Sequence, residues 1–210
     1  MRQKKISSKR AETTRRILDT ASEIFSESGF EGARVDEIAR RAGVNKATIY
    51  YHIGDKQALY GKVIHDLFGN AAGEVKQNIK ASLSPQDKLK KYIHTVADMV
   101  DRYPEIAAIM LREQASGGKN LPELVARDIA GIVGIITEIL DEGAAQGIFI
   151  KTNPFIVHLM IIGAIILFKM STPIRSKYAA LSNTLNENND RDLKEAAAEV
   201  QRLVLNAVRK

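Results

Sequence analysis

A chain of 210 residues is long enough to bury a core without covalent staples, and it can hold one domain or a small head on a larger body. Cysteine is absent, which excludes a disulfide framework, a thiolate zinc site and a cysteine nucleophile, and fits a reducing cytoplasm. The net charge of +6 is uneven: residues 1–56 carry twelve Lys/Arg against eight Asp/Glu, and the remainder nineteen against seventeen. A basic front on a nearly neutral body points to a polyanionic partner for that end.

Taken in order, the N-terminal stretch MRQKKISSKRAETTRR is basic but lacks the apolar run of a signal peptide. Residues 1–10 therefore read as a basic arm. A first helix is expected from Ala11 to Glu27, because Ile17, Leu18, Ala21, Ile24 and Phe25 form one apolar stripe. Gly29 stops it. A short second helix spans Val35–Arg41, with Val35, Ile38, Ala39 and Ala42 inward, and Gly43 breaks it. Asn45 is a good N-cap for a third helix that ends near Gly54, and Asp55 can cap a long fourth helix running to Leu83.

Pro85 and Pro104 open the next two helices at positions where a missing N–H costs nothing. Ser116–Asn120 (SGGKN) is a loop, and Leu121–Ala145 a long helix closed by Gly147. Asn153–Pro154 starts an apolar helix, Pro173 breaks it, and NENND precedes a last amphipathic helix ending near Arg209. The apolar run Phe155–Phe168 has fourteen residues and contains a histidine, too short to span a bilayer and better read as a buried helix. No segment alternates convincingly as a strand. The predicted class is all-α.

The segment Arg40–Lys56, RRAGVNKATIYYHIGDK, collects basic residues, two adjacent tyrosines and a histidine around a glycine turn. Two short helices joined this way make a helix-turn-helix. Ala39 allows close approach and Gly43 supplies the positive φ of the turn, while Val44, Ile49 and Ile53 anchor the second helix. Lys46, Ala47, Thr48, Tyr50, Tyr51 and His52 are left outward or on the rim. In such a motif the second helix enters the major groove: lysine donates to guanine acceptors, and alanine or the threonine methyl meets thymine methyls. Tyrosine hydroxyls and His52 can donate to phosphates. The start of the fourth helix, with Lys56 beside it, is a candidate phosphate site.

The longer string ILDTASEIFSESGFEGARVDEIARRAGVNKATIYYHIGDKQALY resembles the DNA-binding segment of TetR-family transcriptional regulators, from about Arg15 to Tyr60. The likeness rests on Ala21, Phe25, Gly29, Ile38–Ala39, Ala42–Gly43–Val44, Tyr50, His52 and Lys56–Leu59. It implies base-edge contacts for Lys46, Ala47, Thr48 and Tyr51, and phosphate contacts for Tyr50, His52 and Lys56. Where the family commonly has Thr or Ser before its second helix, this chain has Ala33–Arg34–Val35. The cap is lost, and Arg34 is left as the phosphate candidate.

The resemblance further implies a head over residues 1–60 and a helical body over 61–210. The body would hold a small-molecule effector and form a homodimer through a four-helix bundle. Candidate effector residues, picked as polar or soft side chains in apolar stretches, are His94, Met99, Met110, Arg112, His158 and Met160. Methionine is also ordinary core filler. Candidate dimer residues are Gly131, Gly134, Ile135, Ile161 and Ile165, on the two most apolar helices. The expected partners are a double-stranded, palindromic operator, an unidentified effector and a second copy of the chain, with no cofactor, metal or membrane.

Enzymatic chemistry has no motif here: His52, His65, His94 and His158 lack metal-ligand spacing, and no nucleophile elbow or phosphate-cradling glycine loop is present. Two other readings compete with a cytoplasmic ligand-released repressor. One is an architectural or occlusion protein that recruits partners on DNA. The other is a helical protein binding anionic membrane surfaces, against which stand Glu12, Asp19, Glu23 and Glu27 on the first helix.

Overall fold

A computed structural model describes residues 2–189 and 191–210, apart from the side chains of 2–9 and 70–72. Most of the basic arm's side chains thus lie outside the described residues. Among the described residues eleven α-helices follow one another: α1 (Arg2–Gly32), α2 (Val35–Arg41), α3 (Lys46–His52), α4 (Lys56–Asn78), α5 (Pro85–Arg102), α6 (Pro104–Ala115), α7 (Glu123–Ala145), α8 (Pro154–Met170), α9 (Thr172–Tyr178), α10 (Asn183–Asn189) and α11 (Leu193–Val208). Among the described residues, β pairing is confined to an isolated bridge between Phe149 and Arg209. The fold is all-α, with a helix-turn-helix head and a helical body.

Three boundaries differ from expectation. The backbone of the arm is helical, so α1 begins at Arg2, and it bends at Gly29 (φ 70°) and continues to Gly32. Helix α4 stops at Asn78, five residues early. Pro173 both ends α8 and opens α9, because proline at a first helical position sacrifices no hydrogen bond. The α8–α9–α10 corner is held by buried Arg175. Its guanidinium donates to the Phe168 and Asn188 carbonyls and lies 4.0 Å from the Phe168 ring centroid. Those partners come from distant turns, so no periodicity announces the corner.

The head packs α1 against α2 and α4 through Ile17, Ala21, Ile24, Phe25, Ile38, Ile49 and Leu59, all buried. Each of the larger side chains among them contributes roughly 1.5–3 kcal/mol. Tyr60 closes this core edge-on to Phe25, with ring centroids 4.7 Å apart. Helix α4 runs unbroken from the head into the body, where it packs on α7; α5, α8 and α11 complete the body. The proposed division at residues 60/61 falls inside α4. Among the described residues no single helix is long and apolar enough to cross a membrane.

Candidate nucleic-acid interface and body cavity

The turn between α2 and α3 is a Schellman motif. Val44 N–H reaches the Ala39 carbonyl (3.0 Å), Gly43 N–H reaches that of Arg40 (3.2 Å), and Gly43 has φ 63°. Any other residue would be strained at that φ. Val44 and Ile53 pack on the core and Ile49 is fully buried, which fixes the rotation of α3. Asn45 caps it, its Oδ1 accepting from Ala47 N–H at 2.9 Å. Helix α2 has no side-chain cap at Arg34. Asp36 and Glu37 in its first turn complement the dipole instead.

These anchors leave one exposed face. Tyr51 is 75% exposed and Tyr50 48%. Ala47 and Arg34 are exposed, and Thr48 and His52 half-buried. Lys46 Nζ is paired with the Asp36 carboxylate at 2.8 Å, so the leading cation of α3 already has a partner. Arg40 and Arg41 are similarly engaged. Both donate to Glu37, whose carboxyl these hydrogen bonds pull down to about 2, and Arg41 also reaches Glu27.

Lys56, a phosphate candidate from the sequence, has internal partners in the free protein. Its Nζ lies 4.6 Å from the Phe30 ring centroid and donates to the Glu31 carbonyl at 3.3 Å. Beside it, the Asp55 carboxylate accepts from Ala58 N–H (2.8 Å), the cap expected from the sequence. Sequence reasoning passed over Arg10, whose guanidinium stands 5.5 Å from the Tyr51 ring centroid. Only the three-dimensional approach of α1 to α3 makes that pairing visible.

The body carries a half-open cavity of about 420 Å³ between α4, α6, α7 and α8. Phe68, Met110, Leu111, Ile132 and Ile162 give it apolar walls, and Phe155, Leu159 and Leu167 rim it while remaining exposed. Its polar groups include buried His158 on α8 and buried Glu113 on α6. His158 Nδ1 is 2.7 Å from Tyr92 Oη, and burial holds the imidazole below its ordinary pKa. Glu113 Oε1 accepts from Tyr60 Oη at 2.5 Å, and burial with this bond pushes the phenol pKa up.

Residues 17–63 match the family model described as "Bacterial regulatory proteins, tetR family", and residues 82–168 match "Tetracyclin repressor-like, C-terminal domain". The chain belongs to the TetR family. Among its relatives is the HTH-type transcriptional repressor NicS of Pseudomonas putida, 28% identical over 148 residues, which are 69% of each chain. Another is the HTH-type transcriptional regulator RutR of Escherichia coli, 27% identical over 117 residues, covering 56% of this chain and 55% of RutR. The fold also superposes on FadR of Bacillus subtilis in complex with stearoyl-CoA, with a TM-score of 0.72 at 21% identity, covering 90% of this chain and 96% of that one. The protein is a DNA-binding transcriptional regulator and not an enzyme.

In this TetR-family regulator the six candidate effector residues do not converge. Met110 and His158 line the cavity. Arg112 points the other way, donating to the Ser26 and Glu27 carbonyls of α1 (3.2 and 2.8 Å). His94 pairs with Gln201 of α11, Met99 is buried core, and Met160 faces outward. The candidate dimer residues also divide. Gly131, Gly134 and Ile135 line a separate groove of about 740 Å³. Ile161 and Ile165 are wholly buried within the protomer. The exposed stripe of α8 is instead Ile156, Met160 and Leu167, continued by Ile174 and Tyr178 of α9.

Proposed function

We propose that this regulator acts in the cytoplasm as a homodimeric repressor, binding a palindromic operator and leaving it when a small molecule fills the α4–α6–α7–α8 cavity. The head over 1–60 reads DNA, and the body over 61–210 senses and dimerises. One observation carries this reading. Glu113 lines the cavity and holds Tyr60, whose ring lies against Phe25 and Phe30 in the head.

Arg112, adjacent on α6, binds the last carbonyls of α1 before its bend. A molecule that displaces α6 therefore acts on both α4 and α1, and its effect is limited to its differential affinity for the two arrangements. FadR in complex with stearoyl-CoA supports a small-molecule ligand for a body of this fold.

Dimerisation is assigned to the outward stripe of α8 and α9 with Leu203 of α11, because so large an apolar surface on a monomer marks an interaction site. On DNA, Lys46, Ala47, Thr48 and Tyr51 read base edges, and Arg34, Tyr50, His52 and Lys56 hold phosphates. Lys46 and Lys56 first exchange their internal partners for DNA.

Fluorescence anisotropy with DNA from upstream of the regulator's own gene, against scrambled DNA and across a salt series, tests the reading. The expected preference is roughly 10³-fold or more. Absence of binding to either DNA at low salt overturns it.

A further inference from the structure

Tyr92 and His158 form a buried pair whose chemistry fixes which proton faces the cavity. Tyr92 is fully buried on α5, and its hydroxyl sits 2.7 Å from His158 Nδ1, with no other hydrogen bond between that hydroxyl and a described residue. A buried hydroxyl must place its proton on an acceptor, and Nδ1 is the acceptor within reach. Nδ1 is then unprotonated, and the neutral ring carries its proton on Nε2. His158 is 5% exposed and lines the cavity, and its Nε2 makes no hydrogen bond to a described residue. The pair therefore turns one N–H donor toward a mainly apolar space.

Of the other polar residues in the lining, Gln114 is exposed and Glu113 is already engaged. Glu113 accepts from Tyr60 Oη, with Ser116 Oγ and Asn120 N–H each 3.4 Å away. Its negative charge repels an anionic ligand, and a cation would have to shed its water to reach a carboxylate that already accepts from Tyr60. We infer that the cavity selects an uncharged, mainly apolar molecule that presents one hydrogen-bond acceptor, such as a carbonyl oxygen, to His158 Nε2. This rests on the ligand-released reading of the same cavity and specifies its ligand class. Tyr92 is a positioning residue, and His158 touches the ligand.

Three matched probes test it: benzophenone, diphenylmethane (a methylene in place of the carbonyl) and benzhydrylammonium. Their dissociation constants are measured by calorimetry on the full-length protein. Benzophenone is expected to bind about fivefold more tightly than diphenylmethane, the worth of one neutral hydrogen bond. His158→Phe should abolish that preference while still binding diphenylmethane, and His158→Gln, which keeps a donor, should retain part of it. Long-range ¹H–¹⁵N NMR of the wild type should give the Nε2–H tautomer, a readout independent of either variant's folding.

Equal affinity for ketone and hydrocarbon, tightest binding of the ammonium probe, no binding of any probe, or an Nδ1–H tautomer would each overturn the inference. Operator release is scored separately by anisotropy. Probes that bind through His158 yet leave the operator complex intact defeat the release reading alone. A compound that releases the operator with equal potency from wild type and His158→Phe defeats this inference alone.

Discussion

Asp36 and Lys46 meet at 2.8 Å across the helix-turn-helix with both side chains largely in solvent. An exposed pair of this kind is worth about 0–1 kcal/mol, so DNA phosphates or guanine acceptors can take the lysine from its partner at small cost. Asp36 then tempers indiscriminate attraction to DNA. Asp36→Asn is expected to raise affinity for scrambled DNA by about two- to fivefold and to steepen the salt dependence by up to about one unit. Anisotropy over a salt series reads both numbers, and unchanged scrambled-DNA binding counts against the restraint. Lys46→Ala and Tyr51→Ala should relax operator preference, whereas Arg34→Ala should weaken all sequences alike.

His158 carries a pH consequence at the same scale. Its folded-state pKa lies below the ordinary value of about 6.5 because burial disfavours the imidazolium. The unfolded chain therefore binds more protons in the window beneath 6.5. The neutral ring's contribution is fully present above that value and is lost as pH falls through the folded pKa. Melting temperatures of the wild type should fall between pH 7 and pH 5, and His158→Gln should flatten that part of the profile.

Among the elements, α7 ends in a turn built like that between α2 and α3, with Gly147 at φ 70° and Ile148 N–H reaching the Gly143 carbonyl at 2.9 Å. The turn lays Phe149 onto α7 so closely that a Cβ at Gly143 would meet the ring at 2.0 Å. The same segment pairs with the end of α11 through Ile150 N–H to the Val208 carbonyl. Gly143→Ala should cost about 1–3 kcal/mol by overpacking, seen as a lowered denaturant midpoint with an unchanged m-value. On α4, Tyr60→Phe leaves Glu113, buried on α6, without its shortest partner and should cost about 1–3 kcal/mol.

How far these elements were legible depended on the kind of signal each carries. The head was readable because Gly43, Asn45 and Asp55 encode turn and caps locally, and because Ile38 and Ile49 keep helical spacing. Helix α8 was readable as a helix but not in its rotation. It is apolar on every side, so no moment tells Ile161 and Ile165, which are buried, from Ile156 and Met160, which are not. Partnerships across long separations, such as Arg112 with Ser26 or Tyr60 with Glu113, leave no trace in spacing at all.

At the scale of the whole molecule, the outward stripe of α8 and α9 separates two kinds of damage. Leu167→Glu places a charge on a surface that is 58% exposed in the protomer. It should leave helicity intact while converting a dimer to a monomer in analytical ultracentrifugation, with operator affinity falling in step. Ile161→Glu, by contrast, buries an unpaired charge and should unfold the protein. A dimer that survives Leu167→Glu with unchanged dissociation would move the interface elsewhere.

Helix α4 has 23 residues without a break, about 34 Å of rigid rod from the DNA-reading end to the cavity wall. Such a rod is a lever arm. A tilt of roughly 5° about its body end displaces the other end by about 3 Å, close to the rise of one base pair. Two heads that move oppositely by that amount fall out of step with consecutive grooves. An adjustment too small to disturb the packing of the body is thus large when measured on the ruler of the double helix.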